Sequence, residues 1–303
     1  MRRKIKNISA SVHQRLLNEA RESSRPFNEI FQKFAMERII YRLSKSPYND
    51  LFILKGALMF CVWFGPDNRP TMDIDLLGSL NNNLEKISSV MKEICQTQVE
   101  EDGIFFNPDS VTTTKITEDA EYEGVRVRIK GNLGNARINI QIDIGFGDEI
   151  IPAPQKVYYP SLLDFSKPLI HGYSRESIIA AKFQVIVKFG IVNTRIKDFY
   201  DIWYLSQNLD FRGHYLTRAI IKTFQKRNTA IENSASIFRK TFKKDPEKDS
   251  QWKSFLKKAK IERTPHLFVQ ILEEIQTFLE PVIFSITGNR HFHKTWKAPG
   301  PWR

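Results

Sequence analysis

Asp73-Ile74-Asp75 places two carboxylates one residue apart, with Leu76-Leu77 following at once. Alternate residues of a strand point to the same face. A strand over residues 72–77 therefore projects both carboxylates from one side and its apolar residues from the other. The apolar neighbours predict that this strand is buried on one side, where unpaired charge is costly. Two adjacent carboxylates repel, and one takes up a proton unless a cation sits between them. A divalent ion, Mg²⁺ foremost, removes that cost, because it prefers oxygen ligands and is commonly shared with substrate phosphates. The pair points to chemistry on a nucleotide.

Other residues could join such a site. Residues 137–144 (Arg-Ile-Asn-Ile-Gln-Ile-Asp-Ile) alternate polar and apolar, the clearest strand signal in the chain. Asp143 shares the polar face with Arg137, Asn139 and Gln141. It could complete an acidic set, since two-metal phosphoryl transfer holds ions about 3.5–4 Å apart between several carboxylates. Taken alone it reads more readily as a solvated strand end. Lys55-Gly56-Ala57 falls between an apolar run and a helix, where a glycine lets backbone N–H groups approach a phosphate. Taken alone it is an ordinary strand–helix turn. Lys182 interrupts an apolar helix over 178–192, as a lysine with a buried stem does at a core edge. Asp198 and Asp201 are neighbours on a helix, and a cation or Arg195 close by would relieve their repulsion. The six histidines show no metal spacing. Cys61 and Cys95 form neither a disulfide framework nor a zinc pattern and read as reduced packing residues.

The elements that must position these residues follow from periodicity. Helices are expected over 9–20, 27–43, 57–64 and 83–98, with apolar positions at helical spacing, and Pro47 ends the second. A short buried strand is expected over 51–54. A turn-rich loop follows over 65–70, leading into the acidic strand. Short strands are expected over 111–116, 124–130 and 136–145. Pro152 and Pro154 mark a boundary, after which the chain should be helical, over 178–192, 196–207, 215–227, 250–260 and 267–284, with an irregular tail over 291–303. The expected division is a core over 1–150 and a mostly helical, basic domain over 151–303.

The chain has 303 residues and a net charge of +12. Residues 211–303 hold 19 Lys and Arg against 8 Asp and Glu, so nearly all the excess lies there. A basic lobe accompanying a metal site suits a polyanion such as RNA, although charge excess also serves solubility. No run reaches the about 18 apolar residues of a membrane span. The first twenty residues are basic without the apolar stretch of a signal peptide, so the expected location is the cytoplasm.

Phe52-Ile53-Leu54-Lys55-Gly56-Ala57-Leu58, followed by Arg69-Pro70-Thr71-Met72-Asp73-Ile74-Asp75-Leu76-Leu77-Gly78, resembles the signature of the AbiEii/AbiGii toxin family. Downstream, Ala181-Lys182 and Arg195-Ile196-Lys197-Asp198-Phe199-Tyr200-Asp201 are similar to its later motifs. The resemblance covers roughly residues 10–210. It implies a polymerase-β-like nucleotidyltransferase core of α/β (α+β) class, with a small mixed sheet flanked by helices and a helical C-terminal part completing the active site. It implies a toxin of type IV toxin–antitoxin and abortive-infection systems. The implied reaction moves a nucleoside monophosphate from an NTP to an acceptor hydroxyl, with RNA and the 3′ end of tRNA as acceptor. By the same resemblance Asp73, Asp75 and Asp143 would hold Mg²⁺ or Mn²⁺. Lys55, Gly56, Ala57, Thr71, Lys182 and Arg195 would bind nucleotide, and Asp73, Asp75, Lys182 and Asp198 would be catalytic. The superfamily turn usually carries Gly-Ser or Gly-Gly; Gly56-Ala57 keeps the small size and the backbone donor but lacks the hydroxyl. A cognate antitoxin is implied, without a stable complex. A kinase-like phosphotransferase, a metal-dependent nuclease and a non-catalytic nucleotide- or RNA-binding protein remain open.

Overall fold

The computed structural model describes residues 7–65, 71–116, 124–261 and 264–303. Of the expected loop over 65–70, all but Gly65 lies outside the described residues, as do Arg69 and Pro70 of the signature. Contacts divide the chain into two units. The first takes Met1–Gly147 and Gln155–Tyr173, and the second takes Asp148–Pro154 and Ser174–Arg303.

The first unit is mixed α/β. It runs α1 (Ile8–Glu22), α2 (Phe27–Lys45), β1 (Phe52–Lys55), α3 (Leu58–Phe64), β2 (Asp73–Gly78), α4 (Leu84–Gln96), β3 (Ile104–Phe106), β4 (Thr112–Ile116), β5 (Gly124–Leu133), β6 (Ala136–Phe146), β7 (Gln155–Tyr158) and β8 (Leu169–Gly172). One eight-stranded sheet has the order β3-β5-β6-β2-β1-β8-β7, with β4 also on β5. β2 runs parallel to β6, and β1 parallel to β8. The other pairs are antiparallel. Alternate residues of the central strands are buried: Ile74 and Leu76, Ile140, Ile142 and Ile144, Val125, Val127 and Ile129. That alternation leaves the intervening polar residues on the other face.

α2 packs on the sheet at β6 and β8 and is buried nearly all round, so its polar side chains need partners inside. Gln32 donates to the Met72 carbonyl at 3.0 Å, which fixes the chain one residue before the acidic strand. Arg38 and Arg42 converge on the buried Asp102 at 2.7–3.0 Å. Burying these charges is tolerable because each is paired.

The sheet is larger than expected because the chain does not turn helical directly after Pro154. Residues 155–158 and 169–172 form β7 and β8 and extend the sheet beyond β1. Strands of four residues are too short to show period-2 alternation, and β8 is placed by parallel pairing with a strand more than a hundred residues away in sequence.

The second unit is mostly helical, as expected: α5 (Arg175–Phe189), α6 (Ile196–Asn208), β9 (Phe211–Arg212), α7 (Gly213–Lys226), α8 (Lys240–Lys243), α9 (Pro246–Ala259), α10 (Phe268–Thr287) and β10 (Thr295–Trp296). Its tail is mostly irregular in backbone, as expected, yet it is ordered by packing. β10 pairs with β9, Trp296 donates to the Ser206 carbonyl at 2.6 Å, and Trp302 donates to the Phe278 carbonyl while stacking on that ring. Both tryptophans are buried, and such large rings bury much apolar surface, so side-chain packing orders a segment with little regular backbone pairing. Among the described residues, no helix is long and apolar enough to cross a membrane.

Candidate active site

The polar face of the first unit's sheet carries a row of charge set by register. Lys55 on β1 stands opposite Asp75 on β2, Asp75 beside Asp143 on β6, and Asp143 opposite Arg126 on β5. Four adjacent strands thus present cation, anion, anion, cation. Asp73 lies two residues before Asp75 on the same face and pairs in register with Gln141. Asp73 is exposed and Asp75 half-buried. The backbone itself, through strand pairing, gathers Asp73, Asp75, Asp143 and Lys55.

Two glycines make room for these side chains. Gly56 has φ +66°, a left-handed conformation that side-chain-bearing residues rarely adopt. A Cβ there would lie 2.0 Å from Asp75 Oδ2, so the Asp75 carboxylate occupies the space a side chain would need. A Cβ at Gly145 on β6 would lie 2.7 Å from Lys55 Nζ. The ammonium of Lys55 therefore sits above β6, two residues along from Asp143. Ala57 precedes the seven-residue α3. Thr71 is half-buried, and its hydroxyl lies 3.5 Å from the Asp73 carbonyl.

Asp143 is already engaged. Arg126 donates Nε to Oδ1 at 2.9 Å and Nη2 to Oδ2 at 2.8 Å. Asp73 and Asp75 supply hard oxygen donors on one strand face, the donor chemistry of a Mg²⁺ site that relies on one or two carboxylates plus phosphate oxygens. Among the described residues, no group of three or more Asp, Glu, His or Cys side chains is arranged to hold a metal.

The remaining expected residues belong to the second unit. Lys182 on α5 places Nζ 2.7 Å from Asp198 Oδ1 and 2.7 Å from Asp201 Oδ2, both on α6. Arg195 Nε lies 3.2 Å from Asp198 Oδ2. Asp198 is 3 % and Asp201 0 % exposed. The repulsion expected between two aspartates three residues apart is relieved by Lys182 and Arg195 together. Lys182 does not merely extend its stem toward solvent; its head is clamped between carboxylates.

Asp201 and Arg126 pair with expected site residues, Lys182 and Asp143, and the sequence reading left both without a role. Arg126 was within reach of it. Gly134-Asn135 forms the turn that sets Leu133 opposite Ala136, and counting outward from it puts Arg126 opposite Asp143.

The model of a family described as "Nucleotidyl transferase AbiEii toxin, Type IV TA system" matches residues 38–280. No curated protein matches the chain. Two solved structures from Helicobacter pylori are similar to it. One, a candidate nucleotidyltransferase, is 15% identical with a TM-score of 0.45, over 87% of this chain and 98% of that one. The other, JHP933, is 15% identical with a TM-score of 0.47, over 86% of this chain and 94% of that one.

Proposed function

The chain belongs to the AbiEii family of nucleotidyl transferase toxins of type IV toxin–antitoxin systems, and from that premise we propose that it moves a nucleoside monophosphate from an NTP to a hydroxyl of an RNA acceptor, releasing pyrophosphate. The 3′ end of tRNA is the first acceptor to test, and the cytoplasm the place of action. The observation that carries this reading is the Asp73/Asp75 pair on one face of β2 with Asp75 packed over the Gly56 turn.

Asp73 and Asp75 would hold the divalent ion, Mg²⁺ or Mn²⁺. When bound, such an ion neutralises charge on the triphosphate and on the oxygen that leaves. Gly56 and Ala57 would offer backbone N–H groups of the turn to phosphate, the small Ala57 side chain leaving the approach open. Lys55 adds a positive charge above the same face, and Thr71 lies at the entry to β2. Lys182 and Arg195 are proposed nucleotide contacts, with Asp198 holding Lys182 in place; their part in the reaction rests on the family resemblance.

The second unit supplies a surface suited to an RNA backbone. Lys253, Lys257, Lys260 and His266 line an open depression at the end of α9, within the segment that carries most of the net charge. Phosphate neutralisation by such residues is sequence-independent and sensitive to salt. The family implies a cognate antitoxin, and we propose that it acts without forming a stable complex with this chain.

The reaction class is tested with total RNA and each NTP labelled in turn at the α- or the γ-phosphate, with and without EDTA. Incorporation of α-label that EDTA abolishes and Mg²⁺ restores is expected. Incorporation of γ-label instead indicates a phosphotransferase, and shortened RNA without label indicates a nuclease; either result overturns the reading.

A further inference from the structure

Residues 281–303, the end of α10 and the tail, contain no Asp or Glu but hold Arg290, Lys294, Lys297 and Arg303. On the last turn of α10, Phe284 is 65% exposed, although Ile283 and Ser285 beside it are buried. Gly288, four residues on, continues the helix face that carries Phe284. A Cβ at Gly288 would lie 3.5 Å from Arg290 Nε, so the Arg290 side chain folds back toward that face. The chain beyond is held from inside. Phe292 turns inward, its ring edge-on to Trp302 at 4.9 Å, and the Lys294 carbonyl accepts the Gly213 N–H at 2.8 Å. In extended backbone, neighbours of an inward residue face out. His291 and His293 accordingly are both exposed, with ring centroids 5.7 Å apart and 28° between the planes. Arg290 and Lys294 bracket the two rings and are exposed as well. Lys297 is held by Asp210 at 2.6 Å, whereas no carboxylate among the described residues pairs with Arg290 or Lys294.

We infer that the end of α10 and the tail form a platform for unpaired nucleotides of RNA, with Phe284, His291 and His293 as stacking surfaces and Arg290 and Lys294 as phosphate contacts. This goes beyond the reading above, which gives the RNA backbone the lysines at the end of α9, and takes from it only the choice of RNA. Every base has a π-face, so aromatic rings interleaved with cations bind a single strand without reading its sequence. A duplex keeps those faces stacked inside and offers only its phosphates. An acidic protein surface would use the cations but not the three exposed rings. Trp296 and Trp302 anchor the segment, so its outward side chains are already in place and binding costs little ordering.

The test uses the full chain and fluorescence anisotropy, with a labelled RNA single strand of about twelve nucleotides, the same strand annealed to its complement, and labelled heparin as a polyanion without bases. Phe284→Ala should weaken single-strand binding about fivefold or more and leave duplex and heparin binding within about twofold, since their attraction is to charge. Phe284→Tyr, which keeps the ring, should keep the affinity. Replacing Arg290 and Lys294 together by Ala should make the dependence of log affinity on log salt shallower by about 1–2 for the single strand. If a melting curve shows that Phe284→Ala does not fold, Phe284→Leu, apolar but without a π-face, should show the same loss. Unchanged single-strand binding in Phe284→Ala overturns the inference. So does an equal loss for duplex and heparin, because the ring then shapes the tail rather than stacks on bases. Polyglutamate bound as tightly as the single strand overturns it in favour of an acidic protein, and tighter binding of a DNA strand of the same sequence overturns the choice of RNA. The nucleotidyl-transfer reading is judged separately, by α-label incorporation in the unsubstituted chain, so its failure and that of the platform are told apart.

Discussion

Gly56 meets two constraints at once. Its φ of +66° costs a side-chain-bearing residue about 1–2 kcal/mol, and its missing Cβ is the space the Asp75 carboxylate fills. Gly56→Ala should therefore lower the melting temperature by a few degrees and abolish label transfer, as read by calorimetry and by α-label incorporation. A variant with full transfer would show that Asp75 need not lie over the turn. Cys95 illustrates the opposite situation, a reactive group made inert. Burial pushes its thiol up to about 12, and the nearby Arg42 charge only partly opposes this. At pH 8 the thiolate fraction is on the order of 10⁻⁴. Cys95 should stay unmodified by a disulfide-exchange reagent in the native protein and react once urea unfolds it; rapid native labelling at Cys95 would contradict its placement.

At the scale of elements, α5 and α6 are joined by the clamp of Lys182 on Asp198 and Asp201. Removing one partner of a buried ion pair strands the others and costs about 3–5 kcal/mol. Lys182→Ala should lose about that much stability in urea titrations, so lost transfer in this variant counts as evidence about catalysis only beside that control. Unchanged stability would mean that the clamp lies in a wetter setting than its burial indicates. The sequence spoke clearly for elements whose signal is local. The alternation over 137–144 is β6, and the apolar spacing of 27–43 is α2. The acidic strand and its buried side are also as expected. What could not be read was non-local. β7 and β8 owe their place to pairing with β1, and the tail owes its order to Trp296 and Trp302 docking at Ser206 and Phe278. The partner of Asp143 was legible only by counting across the β5–β6 turn, because periodicity shows which face a residue takes but not what it meets there.

At the scale of the whole molecule, charge is the feature that reaches beyond any element. Residues 211–303 carry most of the net +12, including the lysines that line the depression at the end of α9. If this segment holds an RNA backbone, affinity for total tRNA should fall about tenfold or more between about 50 and 200 mM salt, as measured by filter binding; a flat response would separate the charge from RNA binding. The account as a whole turns on the carboxylate pair. Its most direct test is α-label incorporation into total RNA by the unsubstituted chain beside Asp75→Asn, with melting curves for both. The account predicts incorporation by the former, none by the latter, and closely similar melting temperatures. Undiminished incorporation by a folded Asp75→Asn chain would contradict it.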